Sequence, residues 1–161
     1  MPEDHRLISS RGAFQTALRD AFSEVARVGC RDIVLCDPDF GDWPLGETEV
    51  IDALDRWVQP HRRLTLLAHD FGVLARRHAR WVAWRRLWSH VVLCRSNPEL
   101  EAAEVPTLLV APGVLIVRLN DAVHWRGSMS CRPVDMASAR REIDAVLQRS
   151  VEAFPLTTLG I

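Results

Sequence analysis

Four side chains fall where an open α/β sheet presents chemistry to a ligand. Asp37, the pair His69-Asp70, and Arg95 each follow or close an apolar run that reads as a buried strand. The carboxyl ends of parallel strands form the crevice in which such sheets bind ligands. A histidine that can change charge near neutral pH, two carboxylates and a planar arginine fork could hold a phosphate or a carboxylic acid. They could also support a hydrolase or transferase. The same residue types serve structure as well, because Asp-Pro and His-Asp after a strand cap helices and loops. Both readings stand at this point.

The chain contains no lysine, so all twenty of its basic residues are arginine. A Schiff base or a pyridoxal-phosphate linkage needs an amine that arginine cannot supply. The phosphate loop that ends in Gly-Lys-Ser/Thr is excluded for the same reason. No Gly-x-Ser-x-Gly elbow, dinucleotide fingerprint or metal set with ligand spacing occurs, so no cofactor and no metal is expected. Cys30, Cys36, Cys94 and Cys131 lack C-x-x-C spacing, and Cys36 and Cys94 read as small buried hydrophobes.

Helical and strand periodicities supply the elements that must position these groups. Residues 10–28 repeat apolar side chains at helical spacing (Phe14, Ala17, Leu18, Ala21, Phe22, Val25), with Ser10 as N-cap and Gly29 as the stop. Residues 31–36 read as a strand running into the loop that begins at Asp37. A second helix opens at Thr48 and ends before Pro60. The strand 64–68 follows and delivers His69 and Asp70. A third helix spans 71–88, with Leu74, Trp81, Trp84 and Trp88 inward and Arg76, Arg80 and Arg86 outward. The strand 90–94 then delivers Arg95. Alternating strands and helices imply a parallel sheet with right-handed crossovers.

Beyond Pro98 the pattern changes to runs at 106–110, 113–119 and 122–126 with short connections, an antiparallel meander. In the last run His124 and Arg126 would share one face and Trp125 would face the core. A closing helix is expected over 134–154. One α/β domain over residues 1–161, with a mixed sheet and helices on both faces, is the expected architecture.

Hydrophobic residues at 48% and charged residues at 25% are ordinary for a globular protein. No apolar run approaches the roughly 18 residues of a membrane span, and the acidic N-terminus does not resemble a signal peptide, so a cytoplasmic location is expected. Charge is unevenly distributed although the net value is −1. Seven acids and no base lie between Asp37 and Asp55, while eight arginines stand against the single Asp70 between Arg62 and Arg95. These could be two solvated faces, or the second could be an anion-facing patch.

Residues 114–130 resemble the core hairpin of the phospholipase-D-like superfamily, whose motif is H-x-K-x4-D followed by G-S-x-N. Gly127-Ser128-Met129-Ser130 would be the second element, which places Asn120 at the aspartate, Leu115 at the lysine and Gly113 at the histidine. The order of elements is similar to one half of such an enzyme, over about 140 residues. Similar lysine-poor domains occur in uncharacterised bacterial proteins. The family uses histidine as nucleophile and lysine to steady the phosphate, and neither glycine nor leucine can replace them. The resemblance thus implies a non-enzymatic phospholipase-D-like domain, a binding or assembly module for a phosphate-bearing or other anionic small molecule. Arg95, His69, Asp70, Asp37, Asn120 and Ser128 would be its ligand-binding residues, with no catalytic residue.

Two alternatives are kept. One is a hydrolase or transferase with a new site on His69, Asp70 and Arg95. The other is nucleic-acid binding through the arginine-rich helix, against which the net charge and the acidic segment both count. The resemblance also implies a homodimer, since single-domain members of the superfamily pair across a two-fold axis. The apolar tail Leu156–Ile161 would add contact area.

Overall fold

The first helix forms where its residues dictate. In the computed structural model, which describes residues 4–155, α1 spans Arg11–Val28. The Ser10 side chain accepts a hydrogen bond from the Ala13 amide at 3.0 Å, and Gly29 ends the helix at φ 82°, a conformation that favours glycine. All six apolar positions predicted for its inner face are buried.

The remaining elements are β1 His5–Ile8, β2 Asp32–Cys36, α2 Thr48–Trp57, β3 Arg63–Leu67, α3 Gly72–Arg77, α4 Ala79–Leu87 and β4 Val92–Ser96, then, after a 3₁₀ turn at Ala102–Glu104, β5 Thr107–Ala111, β6 Leu115–Asp121, β7 Arg126–Ser130, α5 Pro133–Leu147 and β8 Val151–Glu152. The strands form one eight-stranded mixed sheet in the order β1-β7-β6-β5-β2-β3-β4-β8. The neighbours β2, β3 and β4 are parallel, whereas every other pairing is antiparallel. The helices cover both faces. Ile33, Leu35, Leu64, Leu66 and Val117 join the core beneath α1, α2 and α4, while Cys36, Leu67, Leu108, Val110 and Ile116 pack against α5. Burial raises the Cys36 thiol pKa and pushes that of Cys94 up to about 11, as expected of cysteines that pack as hydrophobes.

Three expected elements are corrected, and one strand is added. The helix expected over 71–88 breaks at His78, whose ring turns inward and donates from Nε2 to the Phe40 carbonyl at 2.8 Å. The strand expected at 122–126 is a turn, and the strand starts at Arg126. His124 therefore shares no strand face with Arg126; its Nδ1 donates to Asp121 at 2.8 Å instead. Trp125 is half-buried against Phe14 at 5.7 Å. Gly127 begins the tight pairing because a Cβ there would run into the Arg118 carbonyl. The closing helix ends at Leu147, and the chain returns as β8 to pair with β4. The short strand β1, which pairs with β7, has no counterpart in the sequence reading. Leu156–Ile161 lies outside the described residues.

Candidate functional site

The parallel strands deliver Asp37, His69, Asp70 and Arg95 to one edge of the sheet, but loop contacts occupy all but the His69 ring. Asp37 is half-buried, and its carboxylate accepts from the amides of Asp39 at 3.1 Å and Phe40 at 2.8 Å and from the Thr107 hydroxyl at 2.7 Å. Burial outweighs these bonds and raises its pKa above the ordinary carboxylate value. Its turn holds Phe40 at φ 59°. The amides of His69 and Asp70 both donate to the Pro38 carbonyl, and the Asp70 carboxylate caps the Gly72 amide at 2.8 Å. Arg95 donates from Nε to the Ser150 hydroxyl at 2.5 Å and from its second nitrogen to the Ser150 carbonyl at 2.7 Å. These groups organise loops and hold the strap that becomes β8.

Asn120 and Ser128 lie elsewhere. Two strand spacings separate β6 from β2, which leads to Asp37, and four, roughly 19 Å, separate it from β4, which carries Arg95. Both residues line a cleft of about 120 Å³ with Arg118, Asp135 and Ser138, on the side covered by α5. Leu115 points to the opposite, α1 side. Leu115 and Asn120, aligned with the phospholipase-D lysine and aspartate, therefore face opposite sides of the sheet, and of the six expected ligand residues only Asn120 and Ser128 line this cleft. A larger cleft of about 490 Å³ lies beside α1, where Arg6, Asp20, Glu24 and Arg27 ring Leu115 and Met129. None of the six expected residues lines it. Its charges are already matched in the pairs Arg6–Asp20 at 2.9 Å and Arg27–Glu24.

The two oppositely charged segments differ in what their charges touch. Arg19 binds Glu47 through two bonds of 2.7 and 2.9 Å and approaches Glu49, Arg11 binds Asp42, and Asp55 accepts from the Trp84 indole at 2.9 Å. The arginine bond lowers the Glu47 pKa. In contrast, Arg76, Arg77, Arg80 and Arg86 are exposed on α3 and α4 and make no ion pair among the described residues. Arg77 and Arg80 touch only neutral oxygens, those of Gly41, Gly46 and Thr48. Trp81 and Trp84 are buried beneath them.

Sequence reasoning missed Arg85. It is 6% exposed, and its Nε has no hydrogen-bond partner among the described residues. Its guanidinium carbon lies 4.6 Å from the centre of the Phe154 ring. The spacing held a signal, since Arg85 stands four residues after Trp81 and one after Trp84, on the buried stripe. Among the described residues, no three His, Cys, Asp or Glu side chains gather as a metal site, and no helix is long and apolar enough to cross a membrane.

No protein-family model matches the chain, and no curated protein matches it. The solved structure of TrmBL2, an archaeal chromatin protein reported with a novel mode of DNA binding, is similar to it with a TM-score of 0.64 at 13% identity. The likeness covers 94% of this chain and 54% of that one, so the chain spans about half the length of its neighbour. At this identity the likeness carries the α/β fold alone. The expectation of a binding or assembly module for an anionic small molecule is corrected here. The fold neighbour is a DNA-binding chromatin protein, and the residues meant to hold the ligand are dispersed.

Proposed function

We propose that this chain binds nucleic acid through the arginine surface of α3 and α4. The observation that carries the proposal is the group Arg76, Arg77, Arg80 and Arg86, exposed and without a carboxylate partner among the described residues. Phosphate contacts by arginine dominate nucleic-acid affinity, and a planar fork suits phosphate oxygens. The two objections from the sequence lose their force. Charges further apart than about 8–10 Å are screened at physiological salt, so a net charge of −1 says little about one helical surface. The acidic segment spends most of its carboxylates on internal partners. The DNA-binding mode reported for the fold neighbour supports the same reading.

The test is fluorescence anisotropy of a labelled duplex across a salt series. Binding should weaken steeply as salt rises, and the variant carrying R76A, R80A and R86A should lose up to about 0.9 in log–log slope for each phosphate contact removed. Absence of binding at low salt would overturn the proposal.

The finer fold reading, a single phospholipase-D-like half, belongs to the same proposal and is supported by the order of helices and strands. With glycine and leucine at the histidine and lysine positions, we expect no turnover of a generic phosphodiester. Steady hydrolysis by the purified chain would refute that expectation.

A further inference from the structure

The segment Ser150–Phe154 covers an unusual residue. Its strand β8 has only two residues paired with β4, and its further polar anchors among the described residues are the Arg95–Ser150 bonds, the Ser150 amide and hydroxyl on the Leu147 carbonyl, and the Ala153 amide on the Cys94 carbonyl. Phe154 adopts φ 46°, left-handed backbone that side-chain-bearing residues rarely take. Its ring stacks on Phe71 at 5.3 Å and 18°, and it receives the Arg85 guanidinium at 4.6 Å. A buried guanidinium ordinarily carries a carboxylate or several acceptors. Arg85 forms no ion pair among the described residues, and an aromatic ring takes that place.

We propose that Ser150–Phe154 is a displaceable strap, and that the seat it covers, made by Phe71 and Arg85, receives a base of a single-stranded nucleic acid. The inference rests on the nucleic-acid reading above and adds the ligand form. Phe154 occupies the seat as a base would. An aromatic floor and an arginine plane are two surfaces on which unpaired bases stack, and a phosphate beside the base supplies the negative countercharge that Arg85 lacks among the described residues. Arg86 and Arg76, exposed on the same helical pair, would track the backbone. A duplex keeps its bases stacked inside and cannot use the seat.

The experiment compares oligothymidylate with a duplex of equal length, using the full chain and the variants F154A and S150A. The first variant empties the seat, and the second loosens the strap while leaving seat and ring intact. Each should bind oligothymidylate at least about fivefold more tightly than the parent chain, the lower end of one stacked base, with duplex affinity unchanged. Adding R85Q should erase the gain. Circular dichroism melts show whether each variant is folded, and S150A decides the matter if F154A is not. Equal oligothymidylate affinity in parent and folded variants overturns the strap. Loss of duplex binding on removing Arg76, Arg80 and Arg86 tests the surface separately, so either idea can fail alone.

Discussion

The segments 37–55 and 71–88 have opposite charge, lie side by side and use their charges differently. Carboxylates in the first are consumed by the fold: Asp37 holds a loop, Glu47 receives Arg19, and Asp55 receives the Trp84 indole. Arginines in the second make no ion pair among the described residues and face outward, except Arg85, which is buried against an aromatic ring. Opposite charges in neighbouring segments therefore do not simply cancel as seen by a partner. What remains available for binding is the unpaired share.

Substitution separates the two segments. The largest effect should come from Asp37→Ala, which leaves two part-buried backbone amides and the Thr107 hydroxyl without their acceptor. A loss of about 3 kcal/mol is expected, read as a fall in melting temperature of roughly 6–12 °C. An unchanged melt would mean that the carboxylate does not hold the loop. Asp55→Ala should cost about 1 kcal/mol, because the Trp84 indole N–H, on a residue 4% exposed, loses its acceptor. Urea midpoints would measure it. Glu47→Ala, at a half-exposed ion pair, should cost roughly 0.5 kcal/mol, and less in high salt. Stability should move least in the chain with R76A, R80A and R86A, by no more than about 0.5 kcal/mol, while its nucleic-acid binding collapses. A clear loss of stability there would show that the basic surface is structural too, and the contrast would break.

Acidity sharpens the same contrast. Burial raises the folded pKa of Asp37, so the folded chain holds that proton more tightly than the unfolded chain does. Its contribution is fully present below the ordinary value of 3.8 and declines as pH rises through the raised folded value. Glu47 behaves oppositely: its pKa is lowered by Arg19, and its contribution is present above 4.5 and lost as pH falls through the folded value. Relative to Asp37→Asn, the parent chain should therefore lose stability as pH rises above about 4. Parallel curves for the two chains would contradict the direction given for Asp37.

Local readings were reliable where a residue's surroundings lie within its own element. The inner face of α1, its serine cap and its glycine stop need only 3.6-residue periodicity and backbone bonds three or four residues away. Strands β2 and β3 are short apolar runs largely buried on both faces and were legible for that reason, whereas β4 is only partly buried and starts two residues after the expected 90. The hairpin at 120–130 was not, since its polar residues carry little alternation. The close approach of Gly127 to Arg118 sets its register, and that contact spans two strands. The break at His78 escaped notice because its cause, the Phe40 carbonyl, lies 38 residues earlier.

The candidate site divides along the same line. Which arginines point outward on the helix 71–88 followed from spacing, as did the absence of lysine chemistry from composition. Which charges remain free did not. Asp37 meets Thr107, Arg19 meets Glu47, and Arg95 meets Ser150 across 70, 28 and 55 residues of chain. A sequence specifies its neighbours along the chain through periodicity and capping, but pairs this distant form only once the sheet order is fixed. The tertiary structure alone therefore decided that the strand-end residues would serve the loops and the strap, and that the exposed arginines of α3 and α4 would meet no carboxylate among the described residues.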